Sequence, residues 1–170
     1  MNIELFNFLE DYREQVVTLM VTKIPKEIKA YARVSRTELK ETLDHMLDGY
    51  IDLLVTGQPE AIEKVFRYMV RIRHAQKFQI SEVLATILMM TPVIRRLLAE
   101  EYRDIQGEDA LRKFNAALEQ IESNANRAAC LFTDIFQDHL NKRIKEHNDY
   151  LDTAQKKFGI DLSRFIVFKA

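Results

Sequence analysis

Cysteine occurs once in this 170-residue chain, at Cys130. That excludes an intrachain disulfide and fits a reducing compartment. Only four glycines and three prolines are present. So little turn punctuation points to long helices. Neither sign of charge dominates: 25 basic residues face 26 acidic ones, for a net charge of -1. The balance removes the electrostatic case for nucleic acid, which favours a basic face. The longest uncharged run, Val83 to Ile94, is too short to span a bilayer. The N-terminus, MNIELFNFLED, carries Glu4, Glu10 and Asp11 and no basic stretch, so it is no secretory signal. These absences together predict a soluble cytoplasmic protein without membrane insertion.

What is present is a globular composition, with 47% hydrophobic and 30% charged residues. The length suits one domain over residues 1–170, able to bury roughly 70% of its unfolded surface. Apolar spacing of three and four predicts an all-α fold, a compact bundle of five to six helices. Phe6, Leu9, Tyr12, Val16, Leu19 and Met20 form one stripe over Asn2 to about Thr22, which Pro25 stops. Lys26 to Val34 is a connection with at most one helical turn. Ser35-Arg36-Thr37-Glu38 has capping-box spacing and opens a second helix, which Gly57 closes as a left-handed cap. Pro59 suits the first turn of a third helix. That helix runs to about Gln76 and buries Ile62, Val65, Phe66 and Met69. Glu60 and Glu63 at its start and Arg71, Arg73 and Lys77 at its end complement the helix dipole.

Arg71 to Leu98 is the most informative stretch. A basic helix end breaks at Lys77-Phe78-Gln79, and a nearly charge-free helix restarts at Gln79 or Ser81 and ends near Tyr102. Phe78 is placed to pack back on that fourth helix, and Pro92 predicts a kink near Met89 or Met90. After Gly107 the longest helix extends from about Asp109 to beyond His147. Leu111, Phe114, Leu118, Ile121, Ala125, Ala128, Phe132 and Ile135 form a heptad seam along it, with small residues in the middle for close approach. Beyond Ile135 the stripe shifts to Phe136, Leu140 and Ile144. Gly159 ends a short segment, and the apolar tail over 161–170 contains Phe165, Ile166, Val167 and Phe168.

Chemistry-bearing residues are sparse. His45 lies among Glu41, Asp44 and Asp48, but no ExxH pair completes a di-iron set, so this reads as a solvated charged face. His74 is a candidate cofactor ligand, for haem iron, although a cationic ring at a helix end is explained by the dipole alone. Cys130 reads as a small core residue. Met46, Met89 and Met90 read as core filling. No phosphate loop, nucleophile elbow or kinase signature is present. We therefore expect no enzyme activity, no metal and no cofactor.

Arg73, then Gln76-Lys77-Phe78, then Ser81-Glu82, then an apolar helix ending in Arg95-Arg96, together resemble the N-terminal domain family of RsbT co-antagonist proteins of the RsbRD type. The blocks Val34 to Leu39 and Gly57-Gln58-Pro59 also fit that family, and the resemblance covers about Phe6 to Ile144. It implies a non-haem, globin-related helical sensor that dimerises and regulates a partner in bacterial stress signalling. Such domains are usually joined to a STAS domain or a histidine kinase. Here no room for either follows the long helix, which suggests a stand-alone sensor whose phosphoacceptor sits on a STAS-domain or kinase partner. The family pattern carries no catalytic set to transfer. On this reading a signal sensed among the second to fourth helices shifts packing near Pro92, and the seam from Leu111 to Ile135 relays it to a homodimer or partner. Two other readings stand beside it. One is a haem or tetrapyrrole binder using His74 or His139. The other is an adaptor docking through Phe165 to Phe168.

Overall fold

The computed structural model describes residues 3–103 and 107–158. Six α-helices and one 3-10 turn make up the described chain: α1 (Ile3–Asp11), α2 (Arg13–Glu27), the turn Lys29–Arg33, α3 (Arg36–Thr56), α4 (Glu60–Ala75), α5 (Ile80–Glu101) and α6 (Glu108–Phe158). The fold is all-α, with the long final helix that the apolar spacing requires.

The first expected helix is two. α1 and α2 meet at Tyr12, which leaves helical geometry at φ -96 and ψ 5. The bond rail still crosses this joint, since Tyr12 N–H donates to the Phe8 carbonyl (3.0 Å) and Val16 N–H to the Tyr12 carbonyl (2.9 Å). Before the joint Leu5, Phe8 and Leu9 enter the core, while Phe6 stays half-exposed. Pro25 does not stop the helix. It lies inside α2, which continues to Glu27, and the Ile28 N–H still reaches the Ile24 carbonyl at 2.8 Å. A proline near a helix end costs one bond and leaves the last turn intact.

Ser35 caps α3 as its sequence requires, its hydroxyl accepting from the Glu38 N–H at 3.1 Å. Gly57 ends the helix in the left-handed conformation, φ 71. Pro59 occupies the cap position before α4. Between these helices Gly49 makes a close crossing: an added Cβ would sit 2.8 Å from Cα of Ile62.

α4 ends without a glycine. The Lys77 N–H donates to the His74 carbonyl (3.0 Å) and the Phe78 N–H to the Arg73 carbonyl (2.9 Å). This is a Schellman motif whose left-handed residue is Lys77, φ 61. Gln79 then opens α5 with a full capping box, exchanging bonds with Glu82. α5 runs unbroken through Pro92 to Glu101.

α6 has 51 residues and spans about 76 Å. α5, α4 and α3 all pack against it, and α2 packs against α3 and α5. From Asn141 to His147 every α6 residue is exposed, so this stretch leaves the core of the domain, and burial returns only at Leu151.

Candidate functional site

α4 places Ile62, Phe66, Met69, Val70 and Arg73 on its buried face. Arg73 therefore falls where the spacing asks for an apolar side chain. It is only 2% exposed. A buried cation is unfavourable unless paired, and its surroundings meet that need. Its Nη1 donates to Glu38 Oε1 at 2.7 Å and to Gln76 Oε1 at 2.6 Å. Its guanidinium carbon lies 5.2 Å from the centre of the Tyr31 ring and 5.4 Å from that of Phe78. Those two rings meet edge to face at 4.8 Å. Arg33 joins from the 3-10 turn, donating to the Gln76 carbonyl at 2.7 Å. One cluster thus ties the 3-10 turn, α3, the end of α4 and the approach to α5.

Two atoms in this cluster are buried without a hydrogen-bond partner among the described residues, Arg73 Nε and Tyr31 Oη. Burial pushes the Tyr31 phenol up, and the nearby Arg73 charge works against that shift. Glu38 is partly open to solvent, with 35% of its side chain exposed. It lines a cleft of about 370 Å³ between α3 and α4, together with Glu41, Thr42, His45, Lys64 and Tyr68. Glu38 sits at the third position of the Ser35 capping box, yet its carboxylate pairs with Arg73. The dipole-facing role expected of Arg73 is therefore corrected: only its backbone belongs to the helix end. The apolar register Ile62, Phe66, Met69 carries forward to position 73, which is the signal that marks this residue.

A second polar lock joins α3 to α6. Tyr50 Oη donates to the Ile121 carbonyl at 2.8 Å, and Asn124 Nδ2 donates to the Tyr50 carbonyl at 3.0 Å. Burial pushes the Tyr50 phenol far above its usual range, so it remains a donor.

The seam residues divide. Ile121, Ala125, Ala128, Phe132 and Ile135 are buried in the chain's own core, and the Phe132 ring meets Phe66 of α4 at 5.5 Å. Phe114 and Leu118 are half-buried, and Leu111 is 60% exposed. After Ile135 the stripe continues into the core through Phe136, which is buried, and Leu140, which is half-buried, before Ile144 is exposed. The tail residues Phe165, Ile166, Val167 and Phe168 lie outside the described residues, as does Gly159. Cys130 is exposed, a correction to its reading as a core residue. It lies two residues from both Ala128 and Phe132, about 200° around the helix from either. Met46, Met89 and Met90 fill the core. Glu41, His45 and Asp48 are exposed; Asp48 pairs with Arg13, and Asp44 pairs with Lys40 at 3.1 Å.

The two candidate haem ligands come together. His74 and His139 meet with ring centres 5.0 Å apart and planes at 69°. A macrocycle held between them would need coaxial rings about 6 Å apart, from metal–nitrogen bonds of about 2 Å. Edge-to-face rings do not provide that seat. No group of three or more potential metal ligands occurs among the described residues. No described helix is long and apolar enough to cross a membrane.

An all-helical domain with one long helix leaving its body, and a buried ionic cluster where two of its helices meet, defines the class. The chain belongs to the RsbT co-antagonist protein RsbRD N-terminal domain family, whose model matches residues 11–148. No curated protein and no solved structure matches the chain with significance.

Proposed function

We propose that this chain is a non-catalytic sensor domain of bacterial stress signalling, working in the cytoplasm by regulating a STAS-domain or kinase partner, with a homodimer as the working unit. Membership of the co-antagonist family over residues 11–148 carries this reading. The shape of the molecule supports it. The cleft lined by Glu38 offers a place where a signal meets the Arg73 cluster, and that cluster is bonded to the 3-10 turn, α3 and α4. α4 and α3 in turn pack on α6, which extends beyond the body. A change at Glu38 therefore has a continuous packed route to the projecting helix, as coupling between two arrangements requires.

The test is affinity capture of the full chain from its native cells, read by mass spectrometry. Enrichment of a STAS-domain protein or a switch kinase supports the proposal. Recovery of an enzyme or membrane-complex subunit, with neither regulator present, overturns it in favour of an adaptor.

A further inference from the structure

His74 lies exposed on the last turn of α4, and His139 is half-buried on α6 just before the helix becomes bare. Their imidazoles touch edge to face at 5.0 Å. Nε2 of His139 is buried and has no hydrogen-bond partner among the described residues. The charged and titratable groups acting on His139 are His74 from α4 and Lys142, Arg143 and Glu146 from α6 itself. Glu146, the one acid in this set, is engaged by Arg143 at 3.3 Å. A proton arriving on His139 would thus meet cations with no free carboxylate to balance it. It would also leave a buried charged N–H without an acceptor, which is more costly than an unpaired neutral group.

We infer that the His74–His139 contact is an acid-sensitive latch, closed while His139 is neutral and opened by its protonation, which frees the end of α4 from α6 at the point where α6 leaves the body. Burial first, and then the charge on His74, lowers the proton affinity of His139 below that of an ordinary histidine. The sign of the effect follows by linkage. The unfolded chain binds this proton more readily than the folded one, so the contribution is intact above the unfolded histidine pKa of 6.5 and is lost as pH falls below it. The latch itself stands apart from the proposed function; only its use as a signal rests on that reading.

The experiment is a proton NMR titration of the histidine ring signals in the full chain. Urea midpoints at about pH 7.5 and about pH 5 are compared for the wild type, His139→Gln, His74→Gln and His147→Gln. His139 should titrate below an ordinary histidine, and the wild-type midpoint should fall on acidification. His139→Gln should lose part of that fall, and His74→Gln should raise the titration of His139. His147→Gln, on bare α6, should keep the whole fall. Titration of His139 at or above the ordinary value overturns the latch, as does an undiminished acid fall in His139→Gln. Should His139→Gln not fold, the wild-type titration alone decides. Partner capture at the same two pH values reads the signalling use separately. Capture that ignores pH while His139 titrates low would retain the latch and remove its role in the proposed function.

Discussion

Arg73 shows how one residue can carry a disproportionate share of a fold. The Asp109–Arg112 pair is 83% and 80% exposed at its two side chains, and such pairs contribute almost nothing. Arg73 is different because its side chain is 2% exposed while its partner Glu38 is 35% exposed. The charge on Arg73 cannot return to water without moving Tyr31 and Phe78, which cover it. Removing Glu38 leaves that cation with Gln76 as its remaining side-chain acceptor. Breaking a buried ion pair from one side costs about 3–5 kcal/mol. Partial solvation of Glu38 and the surviving Gln76 bond moderate this, so Glu38→Ala should cost about 2–4 kcal/mol in urea unfolding. Asp109→Ala should leave the midpoint unchanged. Equal effects for the two substitutions would show that the Arg73 cluster carries no special weight. Glu38 also lost its expected role: it abandons half of the Ser35 capping box because a buried cation outbids a helix-end N–H that water can satisfy.

At the scale of elements, termini set by a local cap are more legible than joints and ends set by tertiary packing. Ser35, Gln79 and Gly57 each act locally, through bonds within a few residues, so their residue types announce them. The Tyr12 joint and the passage of α2 beyond Pro25 depend on what the neighbouring helices offer in burial, which no local pattern encodes. The end of α4 is the sharpest case. Its Schellman motif has the bonds of a glycine terminus, yet Lys77 holds the left-handed position at φ 61. A Cβ in that region costs about 1–2 kcal/mol, and the geometry persists because Phe78 must turn inward beside Tyr31. Lys77 itself is exposed, so its side chain contributes no core packing. Lys77→Gly should therefore stabilise the domain by about 1 kcal/mol, reduced somewhat by the extra freedom glycine gives the unfolded chain. Thermal and urea unfolding would both move upward. A loss of stability would mean that Lys77 makes a contribution outweighing its backbone strain.

For the whole molecule, the seam on α6 decides what the long helix is for. Its regular heptads suit either an intramolecular packing face or an interface between chains, and spacing alone cannot separate them. Burial separates them by position. Ala128 is 0% exposed within the chain's own core, whereas Leu111 is 60% exposed near the start of the same helix. The two positions therefore answer different questions. Ala128→Glu puts a long charged side chain into a filled space, adding overpacking to an unpaired buried charge. The cost should reach about 4–5 kcal/mol or more, comparable to the lower end of the roughly 5–15 kcal/mol that holds a domain together. The variant should lose helical circular dichroism at ordinary temperature, whatever its state of association. Leu111→Glu should leave the dichroism and unfolding midpoint of the wild type nearly unchanged. If a homodimer uses the exposed end of the seam, this substitution alone should shift sedimentation toward the monomer. An Ala128→Glu protein that kept its helicity and midpoint would contradict the packing of α6 into the body. The working surface would then have to be sought along the buried half of the seam.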